Sequence, residues 1–192
     1  MKWICFLILT TFCSCTILQS NTMLYHASKA LSDTAFVYAL PYEKGKSYRV
    51  VQGYHSFFSH YDDIALDFKM RRGTKVCAAR DGVVMLVNVA GTEGGIGKKY
   101  VGKANHIAIR HSDSTYAHYV HLQHNGALVQ VGDSVRQGQV IGFSGSTGFS
   151  AFPHLHFEVT EGPRKAVRQV PVRFHTNRGS VFLQPLRRYK AN

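Results

Sequence analysis

The stretch AFPHLHFEV, residues 151–159, places two histidines one residue apart inside a run that otherwise reads as a buried strand. Side chains on a strand alternate faces, so His154 and His156 share one face while Leu155, Phe157 and Val159 share the other. Successive same-face residues stand ~7 Å apart, so one imidazole can bind a metal while the other reaches a molecule held by it. The blander alternative is a pair of surface histidines on a half-buried strand. The preceding loop GFSGSTGFSA, residues 142–151, favours the first reading. Its small residues give a substrate close access to backbone, although plain turn chemistry uses the same residues.

Two upstream segments supply partners. FSHYDDIALDF, residues 58–68, ends in an alternating strand with Ile64, Leu66 and Phe68 on one face and Ala65 and Asp67 on the other. A carboxylate on a core-like strand is costly unless it is paired or metal-bound, which singles out Asp67. A salt bridge to an arginine is the competing account. His60 lies seven residues earlier, across a segment able to loop back, and His55 and Asp63 are spare ligand candidates. TYAHYVHLQHNG, residues 115–126, adds His118 and His121. Their odd offset puts them on opposite faces, so alternation admits only one of them to the side of His154 and His156. His124 is expected in the following turn, in solvent. Two histidines and one carboxylate suit zinc with an open fourth position. Rival chemistries find little support. GFSGSTG lacks the spacing of a nucleophile elbow and precedes a strand, so it is no phosphate loop. Cys77, in VCAA, reads as structural.

The wider chain has one texture. DIALDF, GVVMLVNV, HIAIRH, TYAHYVHL, ALVQV and QVIGFS are short, rich in β-branched and aromatic residues, and separated by Gly, Asp and Asn turns. A mainly β fold follows, with an antiparallel β-sheet core. GTKVCAARDGVVMLV and GDSVRQGQVIGFS form an internal echo of the sandwiched-hairpin kind. Neither turn carries the lysine that a swinging-arm carrier modifies. EGGIGKKYVGKAN, residues 93–105, is expected as a mobile hairpin tip.

At 192 residues, 45% hydrophobic and 18% charged, the chain suits one globular domain. The formal net charge of +12 points to anionic partners. The basic residues are scattered and no nucleic-acid-binding motif accompanies them, so no nucleic-acid partner is expected. MKWICFLILTTFCSC, residues 1–15, has a lysine, a short apolar run and then small polar residues, the layout of a secretory signal. Three of the four cysteines (Cys5, Cys13, Cys15) fall there, and Cys15 sits in a loose lipoprotein-type cleavage box as the candidate for a lipid anchor. Cys77 remains alone, so no internal disulfide forms. A helix-like stretch, MLYHASKALS, follows the signal.

From about residue 50 to 160 the chain resembles the lysostaphin-like zinc metallopeptidases, the bacterial peptidoglycan endopeptidases with a β-sheet core. SHYDDIALDF, GTKVCAARDGVV, YVHLQHNG, VQVGDSVRQGQVIGFSGSTGFS and PHLHFEV carry the match, in order. The resemblance implies a Zn2+ bound by His60, Asp67 and His156. It makes His121 and His154 the catalytic histidines that do not bind metal, one activating water and the other steadying an oxyanion. Here His60 precedes Asp67 by seven positions, whereas the best-known members use H-x-x-x-D, and His55 is the fallback ligand. The implied reaction is hydrolysis of a peptidoglycan peptide bond in the periplasm or cell envelope, with the basic charge suited to a polyanionic wall. A catalytically silent wall-binding or amidase-activator module is the alternative. The expected organisation is a signal at 1–22, an N-terminal extension at 23–48, the zinc metallopeptidase core at 49–165, and a C-terminal strand with a basic tail at 166–192.

Overall fold

The computed structural model describes residues 37–56, 58–163 and 168–192. The expected signal, the helix-like stretch at 23–32, and Cys5, Cys13 and Cys15 lie outside the described residues. The described chain is built of strands, with one 3-10 turn at Lys98–Tyr100. The antiparallel fold class expected from the sequence is the one observed. An eight-stranded antiparallel sheet runs in the order Ser134–Val135, Gly82–Asn88, His106–Arg110, Tyr116–Val120, Leu155–Thr160, Ala65–Phe68, Ser47–Gln52 and Arg188–Lys190. A three-stranded antiparallel sheet (Lys75–Cys77, Val140–Ser144, Leu122–Ala127) contributes Val76, Ile141 and Leu122 to the same core.

Alternation divides the large sheet into two faces. Leu155, Phe157 and Val159 point to the apolar side with Leu66, Phe68, Ile107, Ile109 and Tyr119, all at most 1% exposed. Phe157 sits at the centre of an aromatic cluster, with its ring edge-on to Tyr119 at 5.3 Å, Phe174 at 5.7 Å and Tyr38 at 6.3 Å. Such pairs add about 0.5–1.5 kcal/mol each beyond the burial of their area. The other face carries buried polar groups, among them Asp67, His118, His156, Glu158 and Thr160. The core cysteine reads as expected: Cys77 is fully buried, and that burial raises its thiol to about 11.

The internal echo pairs crosswise. The first strand of one half, Lys75–Cys77, joins Val140–Ser144 of the other, while Ser134–Val135 joins Gly82–Val83. Matching backbone bonds repeat at the two turns, Gly138 N–H to Ala78 O at 2.8 Å and Gly132 N–H to Val84 O at 2.9 Å.

Two segments depart from the sequence expectation. Residues 37–42, assigned to the extension, enter the core through Tyr38, Leu40 and Tyr42, and Val37–Ala39 pairs in parallel with Arg173–Thr176. The C-terminal region, expected as one strand and a basic tail, supplies three strands. Arg173–Thr176 and Gly179–Val181 form a hairpin, and Arg188–Lys190 caps the edge of the large sheet beside Ser47–Gln52. The charges alternate with buried Tyr189, so a sequence that looks basic is a half-buried edge strand whose Arg188 and Lys190 face water. No helix among the described residues is long and apolar enough to cross a membrane.

Replacing Phe157 with Ala empties the centre of the aromatic cluster. The expected loss is about 3–5 kcal/mol of stability, measured as a lower midpoint in urea or thermal denaturation with the β-sheet circular dichroism retained at low denaturant.

Candidate metal centre

Register places the site. In the antiparallel ladder His156 lies directly opposite Asp67 on one side and Val120 on the other, and Val120 in turn opposes His106. The next row sets Ala65, Glu158, His118 and Ala108 side by side. Directly opposed residues project to the same face, so these rows form one polar floor.

Asp67 is 2% exposed and stands at the centre of the cluster. Its Oδ1 lies 3.0 Å from His156 Nδ1 and 3.3 Å from His60 Nε2, and its Oδ2 lies 3.6 Å from His154 Nε2. No arginine pairs with it among the described contacts, so the salt-bridge account of Asp67 is replaced by an imidazole cage. Burial pushes the Asp67 carboxyl up, but the hydrogen bond from His156, foremost, outweighs it and holds the group well below the usual carboxylate range. Burial pushes His156 down, while Asp67 and Glu158 together raise it to about 9. Glu158 Oε2 is 3.9 Å from the far nitrogen of His156, and the Gln169 side-chain amide donates to that carboxylate.

His60, Asp67 and His156 each offer a ligand atom, and these atoms lie within 4.8 Å of one another. The His60 ring tests whether a cation fits. Its Nδ1 lies 3.1 Å from Ala65 O and 3.2 Å from Gly53 O, and a carbonyl can only accept, so Nδ1 carries the proton. A bare Nε2 then faces a carboxylate oxygen at 3.3 Å, two lone pairs in a buried place. A second ring proton or a cation between them relieves that contact, and the donor set of two nitrogens and one oxygen suits zinc. The fallback His55 is exposed, with Nδ1 3.4 Å from Tyr61 O, and is not in the cluster. Asp63 lines the cleft beside the cluster and contributes no ligand atom to it.

His154 and His121 complete the inner surface. His154 Nδ1 donates to Phe152 O at 2.7 Å and His121 Nδ1 donates to Thr147 O at 2.7 Å. Each therefore holds a bare Nε2, and the two rings lie 4.6 Å apart. Burial, then the neighbouring His154 and His156, lower His121 to about 3, and burial likewise lowers His154 against the pull of Asp67. The expectation that His118 and His121 exclude each other fails, because both line the same cleft. The reason is backbone: His121 has φ +63°, a left-handed conformation that breaks strand alternation and turns its ring back to the side of His154. His118 instead bonds within the floor, to His106 at 2.9 Å and Thr160 Oγ1 at 2.8 Å. His124 is exposed as expected, but on the strand Leu122–Ala127 rather than in a turn.

The cleft above these groups encloses about 420 Å³. One wall is the Gly/Lys segment, which is anchored rather than a free tip: Gly94–Gly95 pairs in parallel with Gly148–Phe149. Thr147 knits the two, its Oγ1 accepting from Asn105 N–H at 3.0 Å and donating to Leu122 O at 2.8 Å. Ile96 (75%), Val101 (64%) and Phe58 (84%) are large apolar side chains left exposed at this cleft, which gives it an apolar rim. Gln52, unremarked in the sequence, donates to Asp67 Oδ2 at 2.7 Å. Glu158 is another residue the motifs did not mark, although it continues the alternation of His154 and His156.

A buried aspartate among imidazoles, on the polar face of an antiparallel sheet and beneath an open cleft, defines a β-sheet protein with a histidine–aspartate cluster able to hold a metal ion. Comparison with known proteins agrees. Residues 49–169 match Peptidase family M23, and the chain belongs to that family. DD-carboxypeptidase/endopeptidase Mpg of Neisseria meningitidis is 41% identical over 93 residues, 48% of this chain and 19% of the relative. Glycyl-glycine endopeptidase ALE-1 of Staphylococcus capitis is 39% identical over 101 residues, 52% of this chain and 24% of the relative. The chain thus spans about a quarter or less of the length of these curated relatives. Among solved structures, the antimicrobial peptidase lysostaphin from Staphylococcus simulans aligns with TM-score 0.50 and 33% identity, over 65% of this chain and 47% of that one. M23 metallopeptidases are zinc-dependent, and the cluster found here fits that ion.

A methyl group at Gly94 would lie 1.8 Å from the Ser146 carbonyl oxygen. Gly94→Ala is expected to separate the two short strands of the wall, measured as faster amide hydrogen exchange at Gly148 and Ser150, whose N–H groups bond Glu93 O and Gly95 O.

Proposed function

We propose that this chain is a zinc metalloendopeptidase that hydrolyses peptide bonds of peptidoglycan, with His60, Asp67 and His156 holding the metal and His121 and His154 handling protons. The observation that carries the reading is the pair of bare Nε2 atoms beside a three-ligand cluster. Zinc, when bound, supplies Lewis acidity and lowers the pKa of a bound water to about 7. The two histidines supply the rest. With each Nδ1 proton committed to a backbone carbonyl, each ring accepts a proton at Nε2, and a ring that has accepted one donates it to the departing amine. The tautomers are fixed by backbone, so neither ring has to reorganise before it acts. The apolar side chains of Phe58, Ile96 and Val101 border the cleft in which these transfers take place. Membership of the family and the endopeptidase names of its relatives support the substrate class. A wall substrate places the protein outside the cytoplasm, in the periplasm or envelope, where a net charge of +12 favours a polyanionic partner. Lipid attachment at Cys15 would hold it at the membrane there.

The test is metal analysis of the purified chain followed by digestion of cell-wall sacculi, with mass spectrometry of the released fragments. His156→Ala is expected to lose both zinc and activity. His121→Ala and His154→Ala are expected to keep zinc while activity falls by about 10²–10⁴-fold. A protein that binds sacculi but releases no peptide fragment with zinc in place is a wall-binding module instead. Retention on sacculi is expected to weaken as salt rises from 0.05 to about 0.5 M, since exposed charges are screened over roughly a Debye length.

A further inference from the structure

We infer that Gln52 is a positioning residue that locks the Asp67 carboxylate and the His60 loop into one frame. The inference rests on the zinc reading above. Gln52 closes the strand Ser47–Gln52, and all of its side-chain polar atoms are engaged. Its Nε2 donates to Asp67 Oδ2 at 2.7 Å and to Ser59 Oγ at 2.8 Å, and its Oε1 accepts the Ser59 backbone N–H at 3.0 Å. Only one amide orientation satisfies this set. Rotating the amide would press its oxygen against a carboxylate and its NH2 against a backbone N–H. Ser59 is the residue before His60, so the same amide that holds one candidate ligand holds the backbone leading into another.

The bulge in this strand shows how Gln52 reaches that place. Val50 opposes Phe68 and faces the core, and regular pairing would set Val51 opposite Asp67 and return Gln52 to the apolar face. A register shift between Val50 and Gln52 instead sets Gln52 opposite Asp67, on the polar face. The next residue, Gly53, offers its carbonyl to His60 Nδ1 at 3.2 Å, so the strand end touches both ligands. Removing the partner of an outer carboxylate oxygen typically costs 10–100-fold in metal affinity.

The test uses the purified chain with Gln52→Ala and the isosteric Gln52→Glu, measuring zinc affinity by chelator competition and the visible absorption spectrum of the cobalt-substituted protein. Glu keeps the volume and an acceptor for Ser59 but cannot donate to Asp67. Both variants are expected to bind zinc at least tenfold more weakly, with altered cobalt bands, while the β-sheet circular dichroism is retained. Zinc affinity for Gln52→Glu within twofold of the wild type or above it, with an unchanged cobalt spectrum, overturns the inference and leaves the metallopeptidase reading intact. Loss of fold in Gln52→Glu assigns the residue to global stability and overturns it too. A wild-type protein that binds no zinc overturns both readings.

Discussion

Asp67 carries a negative charge where almost no water reaches it, and the architecture around it answers that constraint. An unpaired buried carboxylate costs several kcal/mol even after relaxation. The groups around it come from three separate stretches: Gln52 and His156 donate to it, while His60 and His154 face it with the Nε2 lone pairs that a cation would satisfy. Those stretches meet because Ala65–Phe68 is a central strand, flanked by Leu155–Thr160 on one side and Ser47–Gln52 on the other. The charge therefore couples loop placement to sheet register, and a one-residue slip of either neighbour would move its partner to the apolar face.

The same alternation serves stability and chemistry at once. Each central strand contributes odd positions to one purpose and even positions to the other: Phe157 packs the aromatic cluster while His156 and Glu158 face the cleft. Tyr119 packs the core while His118 joins the floor. With strands ~4.8 Å apart, the row from Asp67 through His156 and Val120 to His106 extends ~14 Å, a floor wider than the candidate metal cluster itself. Burial on the opposite face holds this floor rigid, since large aromatic side chains there leave the strands little freedom to shift.

Much of this was legible from period two alone. HLHFEV and ALDF each declare an apolar and a polar face, and the resemblance to the lysostaphin-like peptidases follows the motifs in order. What was not legible arises where pairing is long-range or the backbone is irregular. The C-terminal residues 188–190 look like a basic tail because their partner strand lies some 140 positions earlier in the chain (the Arg188–Arg49 pair). The Gly/Lys segment reads as mobile because its anchoring strand, Gly148–Phe149, is only two residues long. Neither signal exists locally in the sequence. Glu158 differs, since simple alternation from His154 and His156 reaches it directly.

Two departures from alternation coincide with the site, and each has the same consequence. A regular strand through Gln52 would bury its amide among Val50 and Phe68, and a regular strand through His121 would carry its imidazole to the far face from His154. The bulge before Gln52 and the left-handed backbone at His121 return both side chains to the cleft. Left-handed geometry at a non-glycine residue costs of order 1–3 kcal/mol, comparable to burying one more apolar side chain on the other face. A sheet with strict alternation would be the more regular structure and would still present Asp67 and His156 in register. It would lack the amide that steadies the carboxylate and the second imidazole with a bare nitrogen. The irregularities are thus what convert a polar sheet face into a preorganised site, and the apolar face supplies the stability that lets them persist.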